Sequence, residues 1–177
     1  MQRIDLEHII RAASDIVEQD VVVIGSQAIL AQHPKAPPDL LISVEADLFP
    51  ADEPERADEI DGAIGEGSMF HESFDYYAHG VGPETPSAPL GWRERLIPLS
   101  SDNTRGATGW CMEIHDLVLS KCAADREKDW EYARVAISRG LVDTQTLLDR
   151  VKLLPVDEND KRRILRRLRS LAARDTD

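Results

Sequence analysis

The chain is predicted to be α+β: a short mixed sheet of about five strands, packed helices and a helical C-terminal segment. Three observations predict it. Val21-Val22-Val23-Ile24 is an unbroken β-branched run that ends on Gly25-Ser26, as a buried strand entering a tight turn does. Leu41 to Leu48 alternates, with Ile42, Val44, Ala46 and Leu48 on one side and Leu41, Ser43, Glu45 and Asp47 on the other. Ile9, Ile10, Ala13, Ile16 and Val17 recur at helical spacing.

Taken in order, Asp5 caps a helix that runs to Glu18. The Val21 strand follows, then a short helix over Gln27–Ala31 with its N-terminus at Ser26. His33 to Asp39, with three prolines, is a rigid loop into the Glu45 strand, and Phe49-Pro50 is expected to break that strand. Glu55 to Ile64 reads as a short acidic helix with Pro54 at its first turn, ended by the glycines from Gly62 to Gly67. Phe74 to His79 alternates as a strand, with Asp75, Tyr77 and His79 on one face. Arg95 to Leu99 is a short strand placed near an edge by Pro98, and Gly109 to Ile114 is another. The longest helix is expected from His115 or Asp116 to about Arg139, stopped by Gly140. Asp143 caps a helix over 144–151, and Asp157 caps the last, basic helix. The expected division is a domain over 1–140 and a C-terminal helical segment over 141–177.

The 177 residues carry a net charge of −12, unevenly spread. Lys161 to Arg174 holds seven basic residues and no acid, so the rest of the chain is strongly acidic. Such a body repels nucleic acid unless a local basic patch or a bound metal compensates, and the basic tail reads as a solvated helix face or one docked on the acidic body. No run of about 18 apolar residues is present to span a membrane. The N-terminus lacks the apolar core of a signal peptide, and the expected compartment is the cytoplasm. Cys111 and Cys122 each fall in an apolar pattern, as buried free thiols do. His71, His79 and His115 lack metal-ligand spacing and read as polar surface residues; Trp92, Trp110 and Trp130 read as core or interface anchors.

Alternation puts Glu45 and Asp47 on one strand face, about 7 Å apart. Like charges at such positions repel, and a divalent cation relieves the repulsion while using both carboxylates. Backbone N–H groups at the Gly25-Ser26 turn suit phosphates, since glycine permits close approach and serine adds a hydroxyl donor. On the long helix, Lys121, Asp125 and Lys128 interrupt the apolar stripe of Ile114, Leu117, Val118, Tyr132 and Ala136. Charges on such a stripe are costly unless they face a cleft or each other.

Strand, Gly25-Ser26, helix, then a strand carrying Glu45-x-Asp47 resembles the DNA polymerase β-like nucleotidyltransferases, most closely the small bacterial proteins related to toxin–antitoxin and abortive-infection toxins. Lys121-Cys122-Ala123-Ala124-Asp125-Arg126-Glu127-Lys128-Asp129 resembles the Lys-x-x-Ala-x-Arg-x-Lys-Asp stretch of that group, and the likeness covers roughly residues 20 to 140. It implies a metal-dependent transfer of a nucleotidyl group from a nucleoside triphosphate (NTP). Glu45 and Asp47 would hold Mg²⁺ or Mn²⁺, Gly25, Ser26 and Arg126 the nucleotide, and Lys121 and Lys128 the charge that develops as pyrophosphate leaves. The chain departs from the family pattern in having glutamate as the first acid. The third carboxylate that the family places on a neighbouring strand is left unassigned: Asp75, Glu113 or neither. The acceptor is an RNA 3′ end, a protein hydroxyl or a small molecule, and the resemblance implies an antitoxin as partner. A catalytically weak or inactive protein of the same fold that binds nucleotide or a protein partner, and an interaction module built on the acidic body and basic tail, are the alternatives.

Overall fold

The computed structural model describes residues 1–174, which form two compact units: Met1–Thr85 with Leu96–Met112, and Pro86–Arg95 with the chain from Glu113 onward.

The first unit is built on a five-stranded mixed sheet of order β3-β2-β1-β5-β4, from β1 (Val21–Ile24), β2 (Glu45–Pro50), β3 (Tyr77–Gly80), β4 (Ile97–Leu99) and β5 (Gly109–Cys111). The unbroken run of β1 has the central place, where both faces are covered, and all four of its residues are buried. It pairs antiparallel with β2 and parallel with β5; β2 pairs parallel with β3, and β4 closes the other edge antiparallel to β5. Pro98 is on that edge strand, where its missing N–H costs least. Helix α1 (Arg3–Val17) buries Leu6, Ile9, Ile10, Ala13 and Val17. Gln2 and Asp5 share its capping box.

Three local expectations are corrected in this unit. The second strand begins at Glu45 instead of Leu41 and continues through Phe49 to Pro50. The pairing explains why: β1 ends opposite Asp47 and the chain leaves the sheet at Gly25, so residues 41–44 lack an antiparallel neighbour. Ile42 is 82 % and Val44 46 % exposed, whereas Ala46 and Leu48 are fully buried. The short helix after β1 is 3₁₀ over Ser26–Ala31. Phe74 does not open a strand. It ends α3 (Met69–Phe74), which Ser68 caps by accepting from the His71 amide, and Asp75 takes the left-handed conformation at φ 61° before β3 starts. Phe70 and Phe74 pack on His8 of α1, with centroids 4.9 and 4.6 Å away, so the apparent alternation belongs to an aromatic cluster. Helix α2 (Ala57–Ile64) and α3 together make the crossover that parallel β2 and β3 require.

The second unit is helical: α4 (Ile114–Ala124), α5 (Glu127–Ser138), α6 (Thr144–Arg150) and α7 (Glu158–Arg174). The single long helix expected to Arg139 is broken. Asp125 is left-handed at φ 58°, its carboxylate accepts from Trp130 Nε1 at 2.6 Å, and Arg163 pairs with it. Aspartate tolerates that conformation better than most residues, and with Arg167 at 3.8 Å three partners hold it there. Asp143 caps α6 and Asp157 caps α7 through side-chain oxygens. Ile164 and Leu168 are the fully buried residues of α7. Among the described residues no helix is long and apolar enough to cross a membrane.

Candidate active site

At the end of β1 the chain turns at Gly25, with φ 72°, a conformation that penalises any side chain. Space imposes glycine as well. A Cβ at this position would lie 2.3 Å from Asp47 Oδ2 and 3.2 Å from its Cγ. Asp47 of β2 therefore presents its carboxylate directly to the turn. The adjoining 3₁₀ helix is fastened to the approach to β2: the fully buried Gln27 donates from Nε2 to the Ser43 carbonyl at 2.9 Å, and the Glu45 amide donates to Ser43 Oγ at 3.1 Å.

Parallel pairing of β2 with β3 sets Tyr77 beside Glu45 and His79 beside Asp47. Tyr77 donates its hydroxyl to Glu45 Oε2 at 3.0 Å. Burial first, and the Glu45 carboxylate second, push the phenol up to about 12, so it remains a donor at neutral pH. His79 Nδ1 lies 3.0 Å from Asp47 Oδ1. An ionised carboxylate can only accept, so Nδ1 carries the proton and Asp47 selects that tautomer. The His79 side chain is 50 % exposed and that of Asp47 27 %. On the neighbouring strand β3 the two carboxylates thus meet a phenol and an imidazole, and no third acid. Both were legible as facing one side with Asp75; what local pattern could not supply was the register that brings them to Glu45 and Asp47.

Asp75 sits at the left-handed cap of α3, off the sheet. Glu113 belongs to the second unit, where it caps α4 by accepting from the His115 amide and pairs with His115 Nδ1 at 2.6 Å and Arg150 Nη1 at 2.6 Å. Lys121, Arg126 and Lys128 also lie in the second unit. Asp129, 1 % exposed, takes Arg126 on both carboxylate oxygens at 2.6 and 3.2 Å and Lys121 at 3.6 Å. Lys121 Nζ also stands 4.6 Å over the Tyr132 ring. Of the three charged residues read in the apolar stripe, Lys121 thus answers the buried Asp129, whereas Asp125 is held by Trp130 and Arg163. Lys128 is exposed in the first turn of α5. Cys111 and Cys122 are buried free thiols pushed up to about 12 by burial, which keeps both protonated and unreactive.

The donor set decides what cation suits the β2 face. Among the described residues no three His, Cys, Asp or Glu side chains are gathered into a metal-binding group. Two carboxylates beside a glycine turn nevertheless suit Mg²⁺, which takes hard oxygen ligands, keeps several waters and is commonly completed by substrate phosphates instead of a protein cage. The hydrogen bonds from Tyr77 and His79 are the outer support that such carboxylates need.

No curated protein and no solved structure matches the chain significantly. A family model described as a nucleotidyltransferase of unknown function, DUF6036, matches residues 4–169. That match takes in nearly all of both units, and with it the Gly25 turn, the Glu45-x-Asp47 strand and the Tyr77 and His79 that support it, so the chain belongs to this nucleotidyltransferase family.

Proposed function

We propose that the chain transfers a nucleotidyl group from an NTP to an acceptor hydroxyl, as a polymerase β-like enzyme does, with Glu45 and Asp47 as the metal-binding carboxylates. The observation that supports this reading is the closeness of the Asp47 carboxylate to the Gly25 turn, a carboxylate oxygen against backbone suited to phosphate. The acceptor oxygen bonds to the α-phosphorus, the bond to the bridging oxygen of pyrophosphate breaks with its electron pair, and the hydroxyl proton passes to solvent. Bound Mg²⁺ or Mn²⁺ supplies charge neutralisation at the phosphates. The chain's part is positional. Gly25 and Ser26 receive the triphosphate, Glu45 and Asp47 face it, and Tyr77 and His79 hold the two carboxylates in orientation.

The deciding experiment is calorimetry with Mg²⁺ and each triphosphate on the parent and on Glu45→Ala/Asp47→Ala. Metal-dependent binding is expected in the parent and not in the variant, with melting temperatures alike because the change removes two neighbouring like charges. Equal binding by both proteins would place the nucleotide elsewhere. A second reading, nucleotide binding without transfer, is favoured by β3 bringing a phenol and an imidazole, and no acid, to the two carboxylates. Turnover of α-labelled triphosphate separates the two.

A further inference from the structure

Helix α7 carries two rows of arginine with different surroundings. Arg163 and the exposed Arg167 are engaged within the unit: both reach Asp125, and Arg167 lies 4.3 Å over the Trp130 ring. Arg162, Arg166 and Arg169 are exposed. Their i, i+4, i+7 spacing lines them along about 10 Å of one helix face. Arg162 touches only its neighbour Asn159 in the described structure, and Arg166 and Arg169 make no ion pair among the described residues. In a protein of net charge −12, an outward row of three such arginines is a local reversal of sign.

We infer that this outer row binds the phosphodiester backbone of a nucleic-acid strand. The guanidinium fork matches phosphate oxygens, and the row repeats along the helix as charges repeat along a strand. Two other anionic partners fit less well. A membrane surface needs an apolar face to insert, and the apolar face of α7 is already used, with Ile164 and Leu168 fully buried. A protein interface needs apolar or aromatic anchors at its centre, and among the described residues the exposed positions of α7 beside the arginines are Glu158, Asn159, Ser170 and Ala173, none of them a large apolar side chain. The inference stands on α7 alone and does not depend on the Gly25–Asp47 reading.

The test is fluorescence anisotropy of the full chain with a labelled oligouridylate of about 20 nucleotides, titrated from about 50 to 200 mM salt. Three phosphate contacts predict a slope of log affinity against log salt of about −2. Arg162→Gln/Arg166→Gln/Arg169→Gln is expected to weaken binding at least about tenfold at low salt and to bring the slope near zero, while the triple lysine variant keeps most of the slope. The deoxy strand of the same sequence is expected to bind similarly, because the contact is to phosphate. Absence of binding at the lowest salt, or a glutamine variant with unchanged affinity and slope, overturns the inference. So does displacement of the strand by polyglutamate of equal charge, which would assign the row to an acidic protein. Triphosphate binding is measured separately on the same variants, so failure here leaves the nucleotidyl-transfer reading untouched.

Discussion

His79 Nδ1 and Asp47 Oδ1 are 3.0 Å apart across a parallel strand pair. His79→Ala is expected to release the Asp47 carboxylate from its held orientation. Loss of such outer support commonly costs 10–100-fold in metal affinity, so Mg²⁺-dependent triphosphate binding should fall by about tenfold or more. The melting temperature should stay near the parent value, since the ring is half exposed. Calorimetry and thermal unfolding read the two effects. Unchanged affinity would return His79 to the role of a surface residue.

Gly25 and Asp47 should be coupled in a double-mutant cycle. Gly25→Ala adds a Cβ that meets Asp47 Oδ2 and forces a side chain into φ 72°. The conformational part alone costs about 1–2 kcal/mol. In an Asp47→Ala background the steric part disappears and the conformational part stays. Denaturant unfolding should therefore show a smaller loss for Gly25→Ala when Asp47 is absent, a non-additivity on the order of 1 kcal/mol. Strict additivity would mean that the two residues do not meet in solution.

Lys121→Met should lower stability. Asp129 is 1 % exposed and keeps Arg126 after the change, but it loses its second cation, and the ring of Tyr132 loses the ammonium above it. A loss of about 1–2 kcal/mol is expected from urea unfolding. Asp129→Ala should cost more, because it removes the buried carboxylate that Lys121 and Arg126 share. If Lys121→Met melts as the parent does and only triphosphate handling suffers, Lys121 acts on nucleotide and the ion cluster is incidental.

Acid should loosen the second unit through Glu113. Burial raises the affinity of this carboxyl for a proton, but the hydrogen bonds and charges of His115 and Arg150 outweigh that and hold it down to about 2, from an ordinary 4.5. A depressed folded-state value contributes stability that is fully present above the unfolded value and is lost as pH falls toward the folded one. Stability should therefore decline between about pH 4.5 and pH 2, and Glu113→Gln should flatten that part of the profile while lowering the plateau above it. A parent and variant with parallel profiles would exclude Glu113 as a source of the acid response.

Much of the fold was legible because local signals agree with tertiary demand. Val21–Ile24 lacks alternation and is central; Pro98 forbids a ladder bond and lies at an edge; Asp143 and Asp157 cap the helices they precede. The misreadings share a different cause. Asp125 breaks a helix without glycine or proline because Trp130, Arg163 and Arg167 hold its carboxylate, and none of the three is adjacent to it in sequence. Phe74 and Tyr76 alternate like a strand but answer to His8 on a distant helix. At the site, Gly25, Ser26, Glu45 and Asp47 could be read as strand–turn–strand chemistry, whereas Tyr77 and His79 join them only through a register that local periodicity does not encode.

The 32-residue separation of Glu45 from Tyr77, and of Asp47 from His79, bears on when the carboxylate face matures during folding. A parallel pair cannot close as a hairpin; residues 51–76 must first fold back as α2 and α3 to bring β3 alongside β2. A nascent chain exposed as far as Pro50 holds Gly25, Glu45 and Asp47 but neither of the side chains that orient the acids. The orienting contacts of Tyr77 and His79 thus arrive with the crossover, and an incompletely folded chain carries its two acids undirected.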